Sequence, residues 1–178
     1  FYLEFSKICF QKLKPGGWFL SFSAPRLYHA IAMAVDIAGF EIRDAINWVY
    51  TQNQPKGMSV NRSINTLDLD NGKKEKLRVL YKNHKTPGMK SCYEPICVAM
   101  KPVEGRFIDN ELNFNTGLLN FGEKVGRNKV IANVVTVDEF DDVYDSNFLV
   151  SKPSKKEKGF SNIHISVKPL TLIEHLLR

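Results

Sequence analysis

Long hydrophobic runs are missing from this sequence. The longest are a few residues, well short of the roughly 20 that a bilayer-crossing helix needs, and no secretory leader opens the chain. No membrane partner is expected. Cysteine is scarce as well. Cys9, Cys92 and Cys97 are an odd and scattered set, which excludes a disulfide scaffold and points to reduced thiols and a cytoplasmic location. Zinc ligation by Cys92, Cys97 and His84 would lack paired Cys-x-x-Cys spacing, so ordinary buried or loop roles are preferred and no metal is expected.

What is present is ordinary in bulk. The 178 residues are 43% hydrophobic and 25% charged, as in soluble globular proteins. A domain of that length can bury on the order of 70% of its unfolded surface. The net charge of +6 suits a polyanionic partner, although a solvated basic surface explains it equally. One acidic patch, Asp138-Glu139 with Asp141, Asp142 and Asp145, stands against that balance.

The stretch Leu13 to Tyr50 organises the rest. Lys14-Pro15-Gly16-Gly17 fits a type II turn, with Pro15 presetting φ and Gly16 free to take positive φ. Trp18 to Phe22 is a nearly continuous apolar run, as in a strand covered on both faces. Ser23 or Ala24 can cap the helix that follows, and Pro25 suits its first turn. Leu27, Ile31, Ala34, Val35 and Ala38 recur at helical spacing, and Gly39 stands where a helix C′ residue is wanted. From Phe40 the period changes to two, which predicts a strand with Phe40, Ile42, Ile46, Trp48 and Tyr50 on one face, interrupted by Asp44. The unit reads as half of a wound α/β sheet.

Around it, residues 1–13 read as a helix whose stripe of Tyr2, Phe5, Ile8, Cys9 and Leu13 packs on the sheet. Pro55 and Gly57 break the loop Thr51 to Met58, Ser59 to Leu67 can open a short helix, and Asn71-Gly72 signals a turn. The basic run Lys73 to Arg78 is either a solvated face or a phosphate contact. Ile96 to Met100 reads as a third buried strand. From Val103 to about Phe160 apolar islands sit among Asn, Gly and charged residues with no internal repeat. There Gly117, Gly122 and Gly126-Arg127 allow sharp turns or close backbone approach. Lys152 to Lys158 is basic, and after Pro169 a helix is expected with Leu170, Ile173, Leu176 and Leu177 as its stripe.

Short motifs in a fixed order carry a resemblance. They are Pro15-Gly16-Gly17, Arg26-x-Tyr28-His29, Ala38 to Asp44 leading into Trp48-x-Tyr50, and Pro55-Lys56. Glu94-Pro95-Ile96, Ser151 to Lys158 and His164-x-x-Val167-Lys168-Pro169-Leu170 continue the series. Together they resemble the adenine-N6 or cytosine-N4 DNA methyltransferases with a permuted motif order, common among bacterial and phage modification enzymes. The likeness spans nearly the whole chain. It implies an α/β fold: a partial Rossmann-like methyltransferase sheet with an irregular recognition insertion, the third strand lying antiparallel beside the other two. Residues 1–102 would form the target-base half of the core, 103–160 the target-recognition insertion, and 161–178 the start of the cofactor-binding half.

The resemblance also implies S-adenosylmethionine as cofactor, duplex DNA as substrate, a flipped base and a cognate restriction enzyme as a partner. Ligands of open α/β sheets bind outside the carboxyl ends of the strands, which places Ser21, Ser23, Arg26 and His29 beside the pocket. Among the residues near substrate and DNA are Ser23, Arg26, His29, Asn53, Pro55 and Lys56; His164, Ser166, Lys168 and Pro169 lead into the cofactor pocket. Arg26 and His29 can equally be the exposed face of a helix, and Lys168-Pro169 can simply start one.

The sequence departs from the family in two places: Gln54 stands where many relatives have an aromatic, and Ile165 where many have Pro. The family's catalytic tetrapeptide, an acidic or amide residue followed by two prolines and an aromatic, is absent, because no Pro-Pro occurs. Its glycine-rich cofactor loop is absent too. The chain starts at Phe1 inside one amphipathic pattern and stops at Arg178 inside another. The expectation is an internal piece of a longer enzyme, inactive alone, with the catalytic residues upstream of Phe1. Two other readings remain: a DNA-binding relic without catalysis, and a methyltransferase acting on RNA or a small molecule.

Overall fold

A computed structural model describes residues 1–50, 54, 56–122, 131–135, 152–164 and 167–177. They fall into two compact units, Phe1–Thr51 with Cys92–Arg178, and Gln52–Ser91. Asn53, Pro55, Ser166, Gly126-Arg127 and the acidic patch Asp138–Asp145 lie outside the described residues.

The first unit opens with α1 (Tyr2–Lys12) and β1 (Trp18–Phe22). A 3-10 turn (Pro25–Leu27), α2 (Tyr28–Ile37) and β2 (Glu41–Val49) follow, and β3 (Tyr93–Met100) comes after the second unit. The sheet order is β1-β3-β2-β4, where β4 is Val134–Val135. β3 runs antiparallel to both neighbours and β4 parallel to β2. The strand–helix–strand unit is therefore real, with β3 inserted between its two parallel strands. The turn before β1 is type II: Gly16 has φ +71°, and the Gly17 N–H donates to Lys14 O at 2.9 Å.

Two apolar clusters cover the sheet, and they correct the expected face of β2. Ile42 is opposite Ala99, but Asp44 is opposite Val98, so a bulge at Arg43 adds one residue. An extra residue reverses which side later residues face. Phe40 packs with Val35, Cys97 and Ala99, together with Tyr2, Phe10 and Phe19 from α1 and β1. Ile46, Trp48 and Tyr50 pack in the other cluster, with Phe22, Val135, Leu172 and Leu176.

The helices bury other residues than the simple stripes predict. On α1, Phe10 joins Tyr2 and Cys9 in the core, with Leu13 just past the helix end, while Ile8 is 57% exposed. Leu27 sits in the 3-10 turn, outside the α2 stripe, and is exposed. Ser23 does not cap: its hydroxyl donates to Ala24 O at 3.0 Å, and Ala24 occupies the N-cap position. The Lys152–Lys158 run contains α6 (Lys155–Lys158), whose N-cap Ser154 accepts from the Glu157 N–H at 3.2 Å. α7 (Leu170–Leu177) buries Leu172 and packs Leu176, leaving Leu170 and Leu177 exposed.

The irregular stretch after β3 contains α5 (Phe107–Phe114), which the sequence pattern did not reveal. Its Asn110 is fully buried. Asn110 Nδ2 donates to Pro15 O at 3.2 Å and Thr116 O at 2.8 Å, and Asn110 Oδ1 accepts from the Glu104 N–H at 3.1 Å. This amide, together with the Thr116 hydroxyl that donates to Pro15 O at 2.6 Å, ties the Pro15-Gly16 turn to the stretch after β3.

In the second unit, α3 (Asn61–Asn65) and α4 (Asn71–Leu80) pack together around Ile64. Asn71-Gly72 is the first turn of α4, not a break, because the Asp70 carboxylate accepts the Lys73 N–H at 2.9 Å as N-cap. A paired ribbon holds the rest: the Gly57 N–H donates to Gly88 O at 3.0 Å and the Thr86 N–H to Met58 O at 2.8 Å. No described helix is long and apolar enough to cross a membrane.

Candidate functional site at the carboxyl edge of the sheet

β1 and β2 point the same way, so Phe22 and Trp48 both stand at the edge where ligands of such sheets bind. β3 enters there, placing Glu94 opposite Trp48. Onto this edge the chain folds Lys168. Its ammonium pairs with the Glu94 carboxylate, and both side chains are about one-fifth exposed (20% and 22%). The same Nζ lies 5.0 Å from the Phe22 ring centre and 5.9 Å from that of Trp48, within cation–π range. Lys152 Nζ sits 4.0 Å over Tyr50, whose ring meets Trp48 at 5.1 Å. Two cations, one carboxylate and three aromatic faces thus converge on one sheet edge.

The residues expected at a site are distributed unevenly. Lys168 and Pro169 reach the edge, and Pro169 is buried where α7 begins. The Leu170 N–H donates to Glu157 Oε1 at 2.8 Å, tying α7 to α6. Ser23 is buried at the end of β1, and its N–H donates to Pro95 O at 2.9 Å, one residue from Glu94. Ser21, by contrast, turns to the other face and pairs with the Tyr2 hydroxyl. Arg26 and His29 are exposed on the turn and helix after Ser23. His164 is exposed, its N–H donating to Asn162 Oδ1 at 2.8 Å. Lys56 is exposed in the second unit.

Glu94 and Lys152 were not among the expected site residues. Glu94 opens the Glu94-Pro95-Ile96 motif, and a carboxylate beginning an otherwise apolar strand was the available signal. Lys152 was hidden in a run that reads as solvated.

On the opposite face, burial pushes the Cys97 thiol and the Tyr2 phenol above their ordinary values. Cys97 packs there with Val35, Phe40 and Ala99. Among the described residues no group of three or more His, Cys, Asp or Glu could hold a metal ion.

The described residues thus form a mixed α/β sheet with a charged, aromatic carboxyl edge. The chain belongs to the DNA methylase family of N6 and N4 methyltransferases, which it matches over residues 1–178. Among solved structures it is similar to M1.HpyAVI in complex with SAM, at 18% identity over 58% of this chain and 41% of that one, with a TM-score of 0.36. M1.HpyAVI alone gives 18% identity over 56% of this chain and 39% of that one, with a TM-score of 0.35. The chain therefore spans about two-fifths of those structures. No curated protein matches it.

Proposed function

We propose that the chain supplies the base-accepting half and the start of the cofactor-binding half of an S-adenosylmethionine-dependent DNA amino-methyltransferase acting on the exocyclic amine of adenine (N6) or cytosine (N4) in duplex DNA. The observation that carries the proposal is the pairing of Lys168 with Glu94 over Phe22 and Trp48, at the sheet edge where such ligands bind. Membership of the DNA methylase family supports the reaction class.

The residues present fit a zwitterionic cofactor. Lys168 offers a cation to a carboxylate, Glu94 an anion to an ammonium, and the rings offer flat apolar faces. His164, Ser166 and Pro169 belong to the same segment and would hold the cofactor with it. S-adenosylmethionine, when bound, supplies an electrophilic methyl group. Ser23, Arg26 and His29 are the substrate-proximal residues proposed from the sheet unit, and Asn53, Pro55 and Lys56 those proposed from the unit Gln52–Ser91. Flipping is required because an amine inside a duplex cannot meet a methyl donor in line. The protein's share of catalysis is positioning and electrostatic stabilisation of the amine as it gains positive character.

In this scheme residues 1–102 form the target-base half, 103–160 the target-recognition insertion and 161–178 the start of the cofactor half. A cytoplasmic location and a cognate restriction enzyme belong to the same proposal. The 178 residues contain neither the Pro-Pro tetrapeptide nor the glycine-rich loop, so they are expected to transfer no methyl group alone.

A tritium-transfer assay tests this in two arms. The isolated chain should leave duplex DNA unlabelled. Joined to an upstream segment bearing the tetrapeptide and a downstream segment bearing the glycine-rich loop, both from a DNA methylase, it should label the exocyclic amine. A folded joined protein that labels no DNA, or an isolated chain that does, contradicts the proposal.

A further inference from the structure

The positive charge of this chain is not spread over it. Of its 25 Lys and Arg and 19 Asp and Glu, nine cations and only three carboxylates lie in the unit Gln52–Ser91; sixteen of each remain elsewhere. The whole net charge of +6 thus resides in 40 residues, and the unit that carries the sheet is neutral.

We infer that the unit Gln52–Ser91 is a phosphate-contacting module that grips the backbone of duplex nucleic acid, an inference that takes its substrate class from the proposed function. Three features of the unit support a gripping surface over a merely soluble one. Its carboxylates are few and partly engaged: Asp70 caps α4 and pairs with Lys73 at 3.4 Å, and Glu75 pairs with Arg78 at 2.7 Å. Its cations are held on ordered backbone: Lys73, Lys74, Lys76 and Arg78 on α4, and Lys85 in the bridge with Ser59. Arg78 Nη2 and Lys74 Nζ also bind Asn65 Oδ1 at 2.7 Å and Asn65 O at 3.1 Å, which fixes α4 on α3.

A lipid surface suits this unit less well. At roughly 100° per residue, positions 73, 74, 76 and 78 cover one broad side of α4, an arc of about 200° that also contains Leu77 and Leu80, so no separate apolar stripe faces away from the cations as a membrane-surface helix needs.

The test uses the full 178-residue chain and a short labelled DNA duplex, with affinity read by fluorescence anisotropy across a salt series. One variant combines Lys73→Gln, Lys74→Gln, Lys76→Gln, Lys82→Gln and Lys85→Gln; a control combines Lys155→Gln, Lys156→Gln and Lys158→Gln. The five-fold variant should bind at least about tenfold more weakly, and its log-affinity slope against log salt should shrink by roughly 3 or more, since each lost phosphate contact removes about 0.9. The control should stay within about threefold of the unaltered chain. A loss confined to the control overturns the module and leaves the proposed function standing. Failure of the unaltered chain to bind duplex overturns the module; methyl transfer by the joined protein then decides the proposed function separately. Tighter binding to anionic phosphatidylserine vesicles than to duplex overturns it in favour of a membrane. Lysine acetylation of the unaltered chain gives an answer independent of any variant's folding: duplex should protect Lys73 to Lys85, and equal labelling with and without duplex overturns the inference.

Discussion

Lys168 shows how a residue's role depends on where the chain takes it. In sequence it is one cation before a proline; folded, it lies on Phe22 and Trp48 against Glu94. Removing either charge strands the other in a largely covered site, a change that costs on the order of 3 kcal/mol. Cys97 illustrates the opposite outcome. It is fully buried, and burial raises its thiol's proton affinity, so the reactive thiolate is scarce at neutral pH and gains ground only above that raised value. A maleimide should therefore label Cys9 and Cys92 in the native protein well before Cys97, as read by peptide mass spectrometry; equal labelling would contradict the packing. Gly16 is constrained twice. Its φ is +71°, and a Cβ there would stand 2.4 Å from Asn110 Nδ2. Gly16→Ala should lower stability by more than about 1 kcal/mol in urea unfolding, and no change would contradict the turn geometry.

Among the elements, β2 and α4 show what sequence pattern can and cannot reveal. The period of two along β2 was legible, but the face was not, because a bulge at Arg43 comes from pairing with β3 and leaves no mark of its own in the residues. Asn71-Gly72 looked like a turn because Gly weakens helices; the Asp70 cap outweighed it. That cap makes a pH prediction. The Lys73 N–H holds the Asp70 carboxyl below its ordinary value of 3.8. A depressed folded value means the stabilisation is present above the unfolded value and is lost as pH falls through the folded one. Helicity of α4 by amide exchange should thus fall only in that acid range, and Asp70→Asn, which keeps an acceptor without a titrating carboxyl, should flatten the dependence. An unchanged acid profile in that variant would contradict the cap. α5 leaves little mark in the sequence for another reason: its buried Asn110 is placed partly through Pro15, 95 residues away. Asn110→Ala strands the Glu104 N–H and takes one of two donors from Pro15 O, which keeps the Thr116 hydroxyl at 2.6 Å; it should cost about 1–3 kcal/mol in thermal or urea unfolding.

For the whole molecule, the three central strands and their order of appearance were legible, because buried strands and the helix between them impose periodicities on neighbouring residues. The carboxyl-edge site was legible only in part. Ser23, Lys168 and Pro169, which reach that edge, stand in recognisable short motifs, while Glu94 and Lys152 take their places there only once the fold brings segments together. Segregation of charge into Gln52–Ser91 was written in the sequence throughout, but it has no outline until the compact units are known.

The most direct measurement of the central claim is a double-mutant cycle in the joined protein that carries the tetrapeptide and the glycine-rich loop. It would give kcat/KM for methyl transfer in the unaltered form, in Glu94→Gln, in Lys168→Gln and in the double variant, with melting temperatures alongside. If the pair holds the cofactor at the carboxyl edge, each single change lowers kcat/KM by about tenfold or more, KM for S-adenosylmethionine rises more than KM for DNA, and the double variant is no worse than the singles. Single variants that melt normally and transfer methyl groups at the unaltered rate would contradict it.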